Sequence, residues 1–113
     1  MKPTSVPAHV TRLVDTVRTT SAAASSGALR RAVADHAAAL SLDRPDPAPI
    51  PKNLEPYVRT VACHAYKVLD RDVDALQAAG YSVDEVFEIT VSAAVGAAFA
   101  RMEVALAALE ESR

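Results

Sequence analysis

Cys63 and His64 are the one adjacent pair of side chains in this sequence that could carry out chemistry. On a helical projection Cys63 lies opposite the apolar stripe of its segment, so it should face solvent or an oligomer contact. Its neighbours on that face are Arg59, Tyr66 and Lys67. The two cations favour the thiolate, the form of cysteine that attacks peroxides and disulfides. Consecutive helical residues do not face each other, so His64 is poorly placed as a base, and an incidental thiol is the alternative interpretation.

Arg101 is the candidate for substrate binding. It falls with Thr90 on an otherwise apolar face of the C-terminal helix. A guanidinium there must form an ion pair, reach the surface or bind an anion, because burying it alone is very costly. One interpretation is pairing with Asp72, Asp74 or an acidic group of another subunit. The other is binding of a substrate carboxylate.

The residues that most other enzyme classes need are missing. The sequence has no cluster of His, Cys and acidic residues at metal-ligand spacing, no glycine-rich phosphate loop and no nucleophile elbow, so we expect no metal and no cofactor. Its 12 basic and 14 acidic residues give a net charge of -2 without blocks of either sign, which argues against nucleic acid as a partner. No apolar run approaches the roughly 20 residues of a membrane span. Pro7 and Asp15 interrupt the transit-like N-terminus, so we expect a cytoplasmic protein without a membrane partner.

The composition predicts an all-α protein. The chain has 113 residues, of which 50% are hydrophobic but only 4% aromatic, and much of the apolar content is alanine, as in cores built from close helix contacts. Prolines occupy every second position from Pro45 to Pro51 and exclude a helix there. We therefore predict a single domain, 1–113, with an N-terminal helical pair in 1–42, a proline-rich connector in 43–52 and a three-helix core in 53–113.

Two helices are expected before the connector. Apolar residues at helical spacing predict the first from about Pro7 to Thr20. Ser25 or Ser26 is the expected N-cap of the second. His36 lies on the apolar stripe of that second helix, where a packed core histidine is favoured over a ligand.

Three more helices are expected after the connector. Asn53 is the predicted N-cap of the third helix, and the apolar pattern continues this helix to Leu69. Asp70 should cap a short fourth helix, which ends where Gly80 offers a left-handed stop. Residues 82–85 read Ser-Val-Asp-Glu, a capping box that opens the fifth.

The fifth helix predicts an oligomer. From Val83 to about Glu111 it spans roughly 40 Å, whereas a compact domain of this size has a diameter of about 35 Å. Its apolar residues cover most of its circumference, and Gly96 could interrupt it. The narrow polar strip comprises Glu88, Ser92, Glu103 and Glu110. Self-association would cover the apolar surface that remains, although the N-terminal helices could also cover it within one chain.

Three stretches of the C-terminal half carry a family resemblance. They read Val-Ala-Cys-His-Ala-Tyr at 61–66, Ala-Ala-Gly-Tyr-Ser at 78–82 and Asp-Glu-Val-Phe-Glu-Ile at 84–89. In this order they resemble the cysteine-bearing helix, the short helix with a terminal glycine and the S-x-D-E-I-x-E helix start of the alkylhydroperoxidase D-like, or carboxymuconolactone decarboxylase-like, family. The resemblance covers Leu54 to Leu109, about half of the chain, and implies a helical homo-oligomer.

The resemblance also implies where a site would lie and what it lacks. Peroxidase-type members use a C-x-x-C pair followed by a histidine, but here Tyr66 stands at the second cysteine position and Asp70 at the histidine position. If Cys63 is instead the second cysteine, Thr60 and Lys67 stand at the other two positions. A lone cysteine needs an external thiol to complete a redox cycle.

Three functional hypotheses therefore remain open. The first is an enzyme-like family member with a degenerate redox site at Cys63, His64 and Tyr66 that acts on a peroxide or thiol. The second is a non-catalytic helical module for oligomerisation or partner binding on the same scaffold. The third is decarboxylase or lactone chemistry on a small-molecule substrate, using His64 and Arg101.

Overall fold

The computed structural model describes residues 24–112, together with the helical positions Ala8 and Thr11. Between residues 24 and 112 it contains four α-helices, which we number α1 (Gly27–Ser41), α2 (Glu55–His64), α3 (Asp70–Ala78) and α4 (Val83–Glu111). Single 3-10 turns at Lys52–Leu54 and Ala65–Lys67 flank α2. This part of the chain has no strand, which confirms the all-α prediction. The remainder of the predicted first helix, Pro7 to Thr20, lies outside the described residues, so the count of five helices stays a prediction.

The core lies where α1, α2 and α4 meet. α1 packs along α4, and α2 contacts both of them. Val33, Leu54, Val58 and Ile89 are completely buried at this junction. The second predicted helix is confirmed as α1, whose N-cap is Ser26, with its Oγ accepting a hydrogen bond from the Leu29 amide at 3.0 Å.

Gly96 is the point of closest approach between α1 and α4. A Cβ atom at this position would lie 2.2 Å from the carbonyl oxygen of Ala34 and 2.7 Å from its Cα. α4 runs without interruption from Val83 to Glu111, so Gly96 does not break it. Ala93, Ala97 and Ala100 are buried inside the chain, on the side of α4 that faces the core. Part of the apolar surface of α4 is therefore covered within one chain, the second of the two alternatives that the sequence left open.

The proline-rich connector is held by His36. Residues 43–51 contain no helix, as the alternating prolines predict. His36 is buried, and its Nδ1 lies 2.6 Å from the carbonyl oxygen of Ala48. This contact joins α1 to the connector, and it confirms the interpretation of His36 as a packed core residue.

The α3–α4 junction is specified by local signals. The Tyr81 amide donates to the Leu76 carbonyl at 3.1 Å and the Gly80 amide to the Gln77 carbonyl at 3.0 Å, the two bonds of a Schellman motif. Gly80 has φ +108°, as such a stop requires. The predicted capping box is present, because the Glu85 amide donates to Ser82 Oγ at 3.1 Å and the Ser82 amide to Glu85 Oε1 at 3.0 Å.

The boundaries of α2 and α3 differ from the prediction. Asn53 does not cap α2; it lies in a 3-10 turn, and its Oδ1 accepts a hydrogen bond from the Tyr81 hydroxyl at 2.9 Å. α2 ends at His64 rather than at Leu69, since His64 has φ -147° and ψ 54°. α3 begins at Asp70, but the capping carboxylate is that of Asp72, whose Oδ2 accepts from the Leu69 amide at 2.8 Å.

The N-terminus of α1 is bound to α4 through the Glu88 carboxylate. Its Oε1 accepts hydrogen bonds from the Ser25 amide at 2.7 Å and the Ser25 hydroxyl at 2.5 Å, and its Oε2 accepts from the Ala24 amide at 2.9 Å. The buried Arg30 guanidinium lies 4.0 Å from Glu88 Oε1 and donates to the Ser25 carbonyl at 2.5 Å. Glu88 was expected on an exposed polar strip with Ser92, and this was wrong: Ser92 is completely buried, and Glu88 is one side of an inter-helix contact.

These hydrogen bonds predict a pH dependence of folding stability. They lower the pKa of Glu88 below its ordinary value of 4.5; the Ser25 hydroxyl contributes most, and desolvation opposes the shift. A carboxyl group whose pKa is lower in the folded state stabilises the fold above its unfolded pKa and loses that contribution as pH falls through the folded pKa. The free energy of unfolding of the native protein should therefore exceed that of Glu88→Gln most at neutral pH. Urea titrations from neutral pH to about pH 3 should show the difference shrinking. A difference that does not change with pH would contradict this role for the carboxylate.

Candidate functional site

Cys63 lies in the last turn of α2 and is half-buried against the core of its own chain. Its Sγ points towards α1, where the carbonyl oxygen of Leu40 is 3.9 Å away. Cys63 does lie opposite the buried residues of α2, as expected, but the expectation that it faces solvent or another subunit was wrong. α1 covers the side of α2 on which Cys63 lies. Reactive cysteines are often placed at helix N-termini, and Cys63 lies at the opposite end of its helix.

His64 and Tyr66 lie at and just beyond the C-terminal end of α2, where the chain is exposed. His64 is the last residue of α2 and is exposed, while Tyr66 is in the following 3-10 turn with 81% of its surface exposed. Their rings pack edge to face at 6.1 Å between centroids, and Lys67 Nζ lies 5.9 Å from the Tyr66 ring. These are contacts of a surface turn. Cys63 packs inwards, whereas His64 and Tyr66 face outwards.

Arg101 binds the C-terminal end of α2. Its Nη2 donates to the carbonyl oxygen of Ala62 at 2.5 Å. The last four carbonyls of a helix have no partner within the helix and carry the negative end of its dipole, so a guanidinium is favourable there. This contact takes the place of the predicted ion pair with Asp72 or Asp74, and it brings Arg101 close to the segment that carries Cys63. Thr90 was predicted to share the face of Arg101. Its hydroxyl forms a hydrogen bond with the Tyr57 hydroxyl, 2.7 Å away.

Three grooves on the described surface are formed by other residues. A groove of about 290 Å³ lies between α1 and α4, lined by Ala34, Asp35, Arg44, Gly96 and Phe99 among others. A second lies beside His36 and Arg59, and a third between α2 and α3 beside Tyr57 and Asp72. Cys63, His64, Tyr66 and Arg101 line none of these three. Within residues 24–112 no three His, Cys, Asp or Glu side chains are grouped in a way that could hold a metal ion.

The feature that the candidate residues did not reveal is an exposed apolar stripe along α4. It consists of Val83, Phe87, Val91, Ala94, Ala98, Met102, Ala105 and Leu109, which we call the outer stripe. Val83, Phe87 and Leu109 are 61%, 68% and 64% exposed, and the other members are exposed or half-buried. At about 100° per residue these positions fall within one sector on the side of α4 away from α1. Beyond Ala100 no residue of α4 is fully buried, although Met102, Leu106, Ala107 and Glu110 are half-buried.

α4 also meets the length and composition criterion for crossing a membrane. An 18-residue window within it has a mean hydropathy of 1.5, and 33% of that window is buried inside the fold. The expectation that no segment is long and apolar enough does not hold by this measure. The criterion rests on length and composition alone, and the core helix of a soluble protein meets it too.

Comparisons with protein-family models, with curated proteins and with solved structures each found no match to this chain.

Proposed function

We propose that this protein is a non-catalytic helical module that binds a partner through the outer stripe of α4. The observation that carries the proposal is the exposure of Phe87, Val83 and Leu109 on one face of a helix whose other face forms the core. Large exposed apolar patches on soluble domains mark interaction surfaces, because leaving them in water is unfavourable. The four helices serve to hold this face rigid and outward.

The arrangement around Cys63 supports the same proposal. Nucleophilic catalysis requires the nucleophile and its base within hydrogen-bond reach and open to substrate. Cys63 Sγ instead lies near a backbone carbonyl of α1, and the side chain of His64 is on the surface. Arg101 reaches the backbone of α2. Cys63 and Arg101 therefore each have a structural contact that accounts for them.

The competing hypothesis is a degenerate redox enzyme of the alkylhydroperoxidase D-like family. In that case Cys63 would be oxidised by a peroxide to the sulfenic acid, with release of an alcohol, and an external thiol would reduce it. The family relationship itself rests on the resemblance of the segment from Leu54 to Leu109 to that family. It remains a hypothesis beside the proposed function, and the same holds for decarboxylase chemistry with His64 and Arg101.

The variant Cys63→Ser distinguishes the non-catalytic module from the redox enzyme. We expect native protein and Cys63→Ser to consume tert-butyl hydroperoxide at the same rate, equal to the rate without protein, when dithiothreitol is the reductant. The readout is residual peroxide over time, with circular dichroism to show that both proteins are folded. Turnover by the native protein that Cys63→Ser lacks would overturn the non-catalytic proposal.

A further inference from the structure

We propose that the groove beside His36 is a binding site for a small zwitterion, an α-amino acid with an apolar side chain. In this site His36 Nε2 and the Glu55 carboxylate hold the ammonium group, and the Arg59 guanidinium binds the carboxylate. The groove has a volume of about 350 Å³, at the lower end of the range for small-molecule sites, and Pro47 and Pro56 complete its lining. It is formed by α1, the connector and α2, whereas the outer stripe lies on α4, so the inference goes beyond the proposed function and does not depend on it.

The packing of His36 in the core uses one ring nitrogen and leaves the other without a partner. Nδ1 lies 2.6 Å from the carbonyl oxygen of Ala48, which can only accept a hydrogen bond, so Nδ1 carries a proton. In the neutral imidazole Nε2 is then an acceptor. Nε2 forms no hydrogen bond with any residue that the structure describes.

The free nitrogen of His36 opens into the groove. Only 6% of the His36 surface is exposed. Nε2 nevertheless belongs to the accessible part, because Ser92 Oγ is the only side-chain nitrogen or oxygen in residues 24–112 that is both sealed from solvent and unpartnered. The groove is the open space that the His36 ring lines. A buried side chain therefore directs an unsatisfied acceptor into the groove, and a ligand donor would satisfy it.

The connector fixes the position of this acceptor. Ala48 lies between Pro47 and Pro49, which restrict the backbone on both sides of it: a proline has a fixed φ, and the residue before a proline is extended. The Ala48 carbonyl is therefore presented to Nδ1 at a set position, and the packed ring of His36 has little freedom to turn. An acceptor that is already ordered loses little entropy when a ligand binds.

Glu55 and Arg59 supply opposite charges on the α2 side of the groove. They lie one helical turn apart with the glutamate nearer the N-terminus, the arrangement that favours an ion pair within a helix. Both are exposed, and neither side chain forms an ion pair or a hydrogen bond with a described residue. The ammonium group and the carboxylate of one ligand can therefore satisfy both charges together.

This combination of groups selects a zwitterion over other small ligands. A phosphate would meet Arg59 but also the like charge of Glu55, and a neutral Nε2 cannot donate to it. A metal ion would find only His36 and Glu55 as ligands, whereas zinc sites use three or four protein ligands. The rings of Pro47 and Pro56 give the groove apolar walls, which suit an aliphatic side chain.

An NMR titration with matched probes tests the site. The probes are L-leucine, 4-methylpentanoate, which is leucine without its amine, and 3-methylbutylamine, which is leucine without its carboxylate. L-leucine should bind with a dissociation constant on the order of 1 mM and shift the ring resonances of His36. Each analogue should bind at least about tenfold more weakly, because it lacks one charge-assisted contact. Equal affinity for 4-methylpentanoate, tighter binding of inorganic phosphate, or no shift at about 20 mM L-leucine would each overturn the inference.

Two charge variants should show opposite ligand preferences. Arg59→Gln should weaken L-leucine binding at least about tenfold without weakening 3-methylbutylamine, which has no carboxylate. Glu55→Gln should weaken L-leucine by a similar factor without weakening 4-methylpentanoate, which has no amine. Arg31→Gln is the matched control, because it removes an exposed cation of α1 that does not line the groove. If Arg59→Gln affects L-leucine binding no more than Arg31→Gln does, the carboxylate contact is refuted.

His36→Asn tests the buried acceptor. The asparagine amide can still donate to the Ala48 carbonyl, but it provides no counterpart of Nε2. This variant should weaken L-leucine and 3-methylbutylamine at least about tenfold and leave 4-methylpentanoate unaffected, with circular dichroism to show that the protein is folded. If it does not fold, the ligand preferences of Arg59→Gln and Glu55→Gln decide the matter. None of these measurements depends on peroxide turnover or on a partner of α4.

Discussion

Gly96→Ala should destabilise the protein by about 3 kcal/mol, the upper part of the range for overpacking. In an exposed helix the same change would stabilise by about 1 kcal/mol, because alanine is the better helix former. Here the added Cβ would lie 2.2 Å from the Ala34 carbonyl oxygen and 2.8 Å from its carbonyl carbon. These are backbone atoms, so no side-chain rotation relieves the overlap. α1 and α4 would have to separate along the largest contact between the described helices.

Urea unfolding followed by circular dichroism measures this effect. Gly80→Ala is the matched control: a Cβ there meets nothing within 4 Å, and its cost is limited to the strain of φ +108°, about 1 to 2 kcal/mol. Ala34→Gly combined with Gly96→Ala should not restore stability, since the contact is with the backbone of Ala34 rather than its methyl group. If Gly96→Ala proves as stable as the native protein, the close packing of α1 on α4 is wrong.

The sequence correctly predicted those helix starts and stops that depend on residues close together in the chain. The capping box at Ser82, the stop at Gly80 and the cap at Ser26 each depend on residues within a few positions of one another. The start of α4 followed from the first two of these signals. Alternating prolines likewise predicted the absence of helix in residues 43–51.

Contacts between distant segments decided what the sequence did not reveal. The apolar pattern of α2 continues to Leu69, yet the helix ends at His64, and nothing in its spacing marks that point. Glu88 and Ser25 are 63 positions apart, so a helical projection of α4 alone makes Glu88 a solvated residue. Cys63 was expected to face solvent or another subunit for the same reason, because its cover comes from α1.

The outer stripe shows the limit of a single helical projection. α4 is apolar over most of its circumference, so the sequence predicted that one partner surface would be too little to bury it. The sequence did not indicate which face of α4 is covered by other helices of the same chain. Gly96 determines this, since the residues around it receive α1 and thereby leave Phe87 and the opposite face exposed. The predicted site residues Cys63, His64 and Arg101 lie at or near the end of α2. Most of the large apolar side chains that the described fold leaves exposed lie instead on α4: Val83, Phe87, Val104 and Leu109.

Arg30→Ala should destabilise the protein by about 3 kcal/mol, the lower end of the range for removing one partner of a buried ion pair. The guanidinium has 2% of its side-chain surface exposed and donates to the Ser25 carbonyl, while Glu88, at 4.0 Å, retains 20% exposure and its bonds to Ala24 and Ser25. Because Glu88 keeps those donors and stays partly hydrated, the loss of stability should not reach the upper end of that range. The missing side chain would also leave a cavity between α1 and α4.

Two further variants separate charge from volume. Arg30→Met keeps most of the buried volume and should recover part of the lost stability, with the remainder due to the guanidinium bonds. Arg31→Ala removes the same group from the next position, where the side chain is exposed, and should change the free energy of unfolding by no more than about 0.5 kcal/mol. In a double-mutant cycle with Glu88→Gln, the two changes should be non-additive, because both groups act on Ser25. Equal effects of Arg30→Ala and Arg31→Ala, measured by urea unfolding, would show that the α1–α4 contact does not depend on this buried cation.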